Sequence, residues 1–180
     1  MPDLRWTSVS APYIRPRASG ERDAWSEEAS QHGHVGSNQL REVAEVVPPP
    51  GVAEALRLGP NETAVVRRRL VLLDDQPTEL TDSYYPSALA LGTALAEQRK
   101  IPGGAVTLLA KLGYETHKVE ERVQARPSTE EEQETLRIAP EEWVFVLTRT
   151  TRAIDGSPFE VAVMTMIATG RELQYEMTVQ

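Results

Sequence analysis

One strand-turn-strand pattern occurs twice in this chain, and it constrains the fold more than any single residue does. Residues 67–82 and residues 148–163 each carry a β-rich run, then Asp-x-x-Pro-x-Glu, then a second extended run. Asp74, Pro77 and Glu79 align with Asp155, Pro158 and Glu160 at one offset, 155 − 74 = 81. Two short-turn ribbons need antiparallel pairing, because parallel strands require a crossover of a dozen or more residues. The repeat therefore predicts an antiparallel sheet with internal pseudo-symmetry and a pocket between its halves. It argues against a parallel nucleotide-binding sheet.

The chain's 180 residues suffice for one well-buried domain. Its 40% hydrophobic and 26% charged content is ordinary for a globular protein. No apolar run approaches the roughly 20 residues of a membrane helix, and Met1–Trp6 lacks the pattern of a secretory signal. The absence of cysteine excludes disulfides and thiolate metal sites, and makes a cytoplasmic location the simplest expectation. A net charge of −8 disfavours a grip on nucleic acid, which needs a basic face to displace counterions.

Residues 1–21, with Pro2, Pro12, Pro16 and Gly20, read as an extended arm or linker ahead of a domain spanning 22–180. A short helix is expected from Ala24 to His32, capped by Asp23 and stopped by Gly33. A strand at Leu40–Val47 and a helix at Val52–Leu58 follow. The first ribbon is Ala64–Leu73 with Thr78–Tyr85. Helices are expected at Ser87–Gln98 and Ala105–Leu112, and a one-face-solvated or edge strand at Glu115–Arg126. Ser128 with Glu131 fits a capping box for a helix reaching Leu136. The second ribbon is Val144–Ile154 with Phe159–Ala168, turning at Asp155-Gly156, and Leu173–Val179 is a last strand. The class is α+β.

The chain lacks several familiar chemistries. His32, His34 and His117 have no metal-ligand spacing, no Gly-x-Ser-x-Gly elbow exists, and Gly103-Gly104 lacks the lysine and spacing of a phosphate loop. No cofactor is called for. Alternation on a strand sends Arg67 and Arg69 to one face and Arg68 to the other. Two guanidinium groups about 6–7 Å apart can clamp a carboxylate or phosphate, or pair with Glu79 or Glu160. Glu160 shares a face with Ala162, Met164 and Met166, an otherwise apolar row. A carboxylate there is either paired, with Arg149 and Arg69 as candidates, or offered to a ligand hydroxyl or amine.

These residues resemble the UTRA domain, the effector-binding domain of GntR-type bacterial transcription regulators of the HutC branch. The matching segments, in order, are 64–70, Asp74-Asp75-Gln76-Pro77, Ser83-Tyr84-Tyr85-Pro86, 104–109 with Leu112-Gly113, 121–126, Leu136-Arg137-Ile138, and Asp155-Gly156-Ser157-Pro158-Phe159-Glu160. The resemblance runs from about residue 40 to the end. It implies a chorismate-lyase-like fold, an antiparallel sheet of about six strands flanked by short helices. It also implies a homodimer that binds a small metabolite and controls an attached winged helix-turn-helix. No such DNA-binding domain is expected within this chain, although Tyr13-Ile14-Arg15-Pro16-Arg17 resembles the end of a wing.

The candidate ligand-binding set is Arg67, Arg69, Thr81, Ser83, Tyr84, Thr107, Arg149, Glu160 and Met166. Of these, the resemblance implies Arg69, Thr81, Thr107, Glu160 and Met166, while strand alternation and the search for a partner of Glu160 add Arg67 and Arg149. Several of the family's polar positions are apolar here: Val71 stands in place of a second arginine, and Met166 in place of an aromatic residue. That shift favours a small or more apolar organic acid over a phosphosugar as the effector. Two other readings remain: a lyase on the related fold, using Arg69, Arg149 and Glu160, and a dimerisation module that dilutes full-length regulators.

Overall fold

The computed structural model describes residues 6–18 and 21–176. Its body is a six-stranded antiparallel sheet in the order β2-β3-β4-β7-β6-β5. The strands are β2 (Gly36–Val46), β3 (Ala64–Leu73), β4 (Gln76–Pro86), β5 (Lys118–Pro127), β6 (Trp143–Arg152) and β7 (Pro158–Ile167). The two ribbons, β3–β4 and β6–β7, lie side by side in one sheet and join through β4 and β7.

The duplication extends further than the ribbons. Helix α2 (Pro50–Leu56) links β2 to β3, and α5 (Glu130–Leu136) links β5 to β6, so each half is strand-helix-strand-strand. Both helices end on an arginine in the left-handed region, Arg57 at φ 57° and Arg137 at φ 58°. Each ribbon has a register shift at an equivalent place, between Val71 and Leu72 and between Thr151 and Arg152. The local pseudo-twofold axis passes through the facing pair Asp82 and Val163, whose numbers differ by the repeat offset, 163 − 82 = 81.

Both sheet faces are covered. On one, α2 packs Val52 and Leu56 against Val66, Tyr84 and Val161. On the other, Val65, Tyr85 and Phe159 meet Leu95, Ile101 and Leu109 from the connection between β4 and β5. Helix α1 (Ala24–Gln31) starts at Asp23, whose carboxylate accepts from the Ser26 amide at 2.9 Å, as expected. It lies so close to β2 that a Cβ on Gly36 would stand 2.8 Å from the Trp25 carbonyl oxygen. The Trp25 indole in turn donates to the Leu72 carbonyl at 2.8 Å.

Several local expectations are corrected. The helix expected at Ser87–Gln98 is one turn, α3 (Ser87–Ala90), followed by a 3-10 turn at Ala94–Ala96. Gly92 at φ 77° and an extended Leu91 break it. Helix α4 spans Gly104–Lys111. The α5 cap is Thr129, not Ser128: Thr129 and Glu132 form the reciprocal capping box, one residue later than expected. Strand β5 is at the sheet edge, in line with its polarity. The final strand, β8, is Arg171–Gln174, and residues 177–179 of the expected Leu173–Val179 lie outside the described residues.

The segment read as an arm is structured along much of its described length. Strand β1 (Trp6–Val9) pairs in parallel with β8, and a 3-10 turn follows at Ala11–Tyr13. Trp6 is buried with Trp25 and Ala29 of α1. No helix among the described residues is long and apolar enough to cross a membrane.

Candidate functional site

A cavity of about 220 Å³ lies over the four central strands on the face away from α2. Its floor comes from both ribbons: Arg69 and Val71 on β3, Glu79 through Tyr85 on β4, Leu147 through Thr151 on β6, and Glu160 through Met166 on β7, taking alternate residues. Its walls are the start of α4, β8, and residues 8–17 of the arm. Alternation puts one face of each strand into the cavity, and the pseudo-twofold makes the two ribbons contribute equivalent rows.

Seven of the nine expected residues line this cavity: Arg69, Thr81, Ser83, Thr107, Arg149, Glu160 and Met166. The other two do not. Arg67 shares the face of Arg69, but its guanidinium is bound by backbone carbonyls. Nη1 donates to Leu95 O at 2.8 Å and Glu97 O at 2.9 Å, and Nη2 to Arg99 O at 2.7 Å. It pins the 94–99 connection, and its burial lowers its pKa. Tyr84 is on the opposite face, packed under α2. Ser83 and Tyr84 are sequential strand residues and cannot share a face. The residue that joins Ser83 is Tyr85, which the sequence reading passed over.

Tyr85 matters to the site's chemistry. Its hydroxyl donates to Glu160 Oε1 at 2.8 Å. Burial, followed by the Glu160 charge, pushes its pKa well up, so it remains a protonated donor. Neither expected arginine is the partner of Glu160. Arg149 donates from Nε to Glu121 Oε1 at 2.6 Å, across the β5–β6 ladder. Arg69 donates from Nη2 to Ser83 Oγ at 3.0 Å, while its Nε is buried with no partner. Among the described residues Arg69 makes no ion pair. Thr151 Oγ1, also in the cavity wall, is buried and likewise unpartnered.

The two halves are chemically unequal at equivalent positions. Glu79 accepts from Thr81 at 2.7 Å and faces Arg171 Nη1 at 3.4 Å, whereas its counterpart Glu160 is held by a neutral phenol. Arg149 is ion-paired, whereas its counterpart Arg69 is not. Val71 is matched by Thr151. The lining also includes Arg15, Arg17 and Asp23; of its arginines, Arg17 pairs with Glu27, Arg149 with Glu121 and Arg171 with Glu79, whereas Arg69 has no such pair among the described residues. Against these groups stands an apolar wall of Leu147, Ala162, Met164 and Met166. No group of three or more His, Asp or Glu side chains among the described residues is arranged to hold a metal ion.

The architecture and cavity define a class, α+β domains of two pseudo-equivalent halves that share one recess. The UTRA domain family profile matches residues 31–169, and the chain belongs to that family. It is 34% identical over 154 residues to an uncharacterised HTH-type transcriptional regulator of Streptomyces coelicolor, SCO4628. That match covers 84% of this chain and 57% of the relative, so the chain spans little more than half its length. Among solved structures, the effector domain of PhnF from Mycobacterium smegmatis superposes with a TM-score of 0.74 at 14% identity, covering 87% of this chain and 95% of that one. A GntR-family transcriptional regulator from Bacillus cereus gives 0.66 at 17% identity, covering 81% and 99%. At these identities the two structures support the shared fold alone.

Proposed function

We propose that this domain is the effector sensor of a GntR-type regulator of the HutC branch and that its effector is a compact anion, such as a small organic acid. The observation that carries the reading is Arg69, a cavity-lining arginine that makes no ion pair among the described residues and whose guanidinium donates to the neutral Ser83 hydroxyl. A guanidinium with no carboxylate partner is suited to paired hydrogen bonds with a carboxylate or phosphate. In this reading Ser83 helps place the anion, and Thr107 and Arg149 border it. Glu160, oriented by Tyr85, accepts from a hydroxyl or amine on the same ligand. Met164 and Met166 take its apolar part. The volume falls below the roughly 300–1,000 Å³ of sites for drug-sized ligands, which suits a small metabolite. The domain acts as a homodimer and as a sensor without catalysis.

Titration of a panel of small carboxylates, phosphates and their neutral amides by thermal shift, followed by calorimetry, tests this reading. Anionic members should stabilise the protein and the amides should not. Glu160→Gln should weaken the best binder about 10-fold or more, as expected for loss of a hydrogen bond to a charged group, while leaving the unfolding transition in place. Equal stabilisation by acids and amides would refute the anion assignment, and an unchanged affinity would remove Glu160 from the site.

A further inference from the structure

Residues 8–17 wall the cavity, yet their attachments to the body are mostly polar. Two of these attachments run through ion pairs whose cations face the cavity. Ser10 Oγ donates to Glu121 Oε2 at 3.0 Å, and the other oxygen of Glu121 accepts from Arg149 at 2.6 Å. Ser8 Oγ accepts from Arg171 Nη1 at 3.2 Å, and Arg171 also faces Glu79. The Arg149–Glu121 pair is largely withdrawn from water, with side-chain exposures of 11% and 8%. Burial raises the Glu121 pKa, but the Arg149 charge and the hydrogen bonds from Arg149 and Ser10 outweigh it and hold the carboxyl below its usual range. Tyr175, beyond β8, has its pKa pushed up to about 12 by burial and by the nearby Glu121 carboxylate.

We infer that Ser10, Glu121 and Arg149 form a relay that reports the charge in the cavity to the arm. Arg149 lines the cavity and Ser10 lies in the arm, so one carboxylate divides its two oxygens between ligand site and strap. An anion that draws the guanidinium of Arg149 inward weakens its hold on Glu121 and thereby disturbs the acceptor that anchors Ser10. The arm keeps its other fastenings. The Trp6 indole donates to Glu28 Oε1 at 2.8 Å, the Tyr13 hydroxyl bonds Glu28, and the Arg17 amide donates to Thr107 Oγ1 at 3.1 Å. The β1–β8 ladder holds Ser8 and Val9, so the change is a loosening of the arm's middle, around residues 10–12, rather than its release. This relay rests on the cavity being an anion site.

The test uses no ligand, so its failure is separable from failure of the effector reading. Hydrogen exchange by mass spectrometry is followed for peptides covering residues 8–14 and the sheet in the wild type, Ser10→Ala, Arg149→Gln and the double variant. Arg149→Gln stands for a guanidinium withdrawn from Glu121. Each single variant should speed arm exchange about 10-fold and leave β3, β4 and β7 protected. The double variant should be no faster than the faster single, because both act on one relay. Wild-type exchange in either single variant, or a double variant whose factor is the product of the two, would overturn the inference. If Arg149→Gln lacks a cooperative unfolding transition, Glu121→Gln, which removes the charge that Arg149 and Ser10 share, replaces it with the same criteria.

Discussion

Substituting Arg67 by methionine separates a structural arginine from a ligand-binding one. The change keeps most of the aliphatic stem, so packing beside Leu95 changes little, and removes every donor. Four carbonyls lose a partner, but not equally. Ala94 O receives only a 3.3 Å bond and also accepts from the Glu97 amide, while Glu97 O accepts from the Arg99 amide. Leu95 O and Arg99 O depend on Arg67, and the Leu95 bond is fully buried. Leaving a buried acceptor unsatisfied costs about 1–3 kcal/mol, and the Arg99 carbonyl can be partly rehydrated because its residue is exposed. The expected loss is about 2–4 kcal/mol. For a domain of this size each kcal/mol shifts Tm by roughly 2–4 °C, so calorimetry should show a fall of about 5–15 °C. Urea titration should give a lower midpoint with an unchanged slope. A fall below about 2 °C would refute the assignment of Arg67 to the fold.

Three further outcomes follow from local geometry. Thr129→Ala should cost about 1 kcal/mol in urea titration and Ser128→Ala far less, because the Thr129 side chain makes the cap; the reverse order would restore Ser128 as the cap. Asp82 has a folded pKa above its ordinary value, chiefly through burial, despite Arg68 at 3.5 Å. A raised carboxyl pKa penalises the folded state at pH values above the folded pKa and not below the unfolded one. Asp82→Asn should therefore raise Tm at pH 7, and the gain should vanish by about pH 3.5; a gain that persists in acid would contradict this. Gly36→Ala should destabilise by about 1–3 kcal/mol, because its methyl would meet the Trp25 backbone; a neutral result in thermal unfolding would show that α1 can shift.

The parts of the fold governed by short-range rules were legible in the sequence. Alternation and the turn residues located all four ribbon strands, and parity on β3 correctly opposed Arg68 to its neighbours. What parity cannot give is position along the strand. Arg67 and Arg69 share a face, yet one falls beneath the 94–99 connection and the other beneath the cavity. The same rule, applied strictly, would have exchanged Tyr84 for Tyr85. Leu89, Leu91 and Leu95 suggested a helix because their apolar character outweighed Gly92 in the reading, although that glycine ends the turn. The arm was the largest omission. Its prolines exclude a helix but say nothing of pairing with β8, some 160 residues away in sequence, and no local pattern announces Arg171 or Thr151 as wall residues.

The unequal use of the duplicated positions has a consequence for what the cavity can accommodate. A floor with true twofold symmetry would meet head and tail of an occupant identically, and either orientation would serve. Here the guanidinium with no ion pair among the described residues, Arg69, comes from the first copy, and the carboxylate held by a neutral phenol, Glu160, comes from the second. The recess therefore has a direction, and a guest carrying unlike ends would fit it one way round.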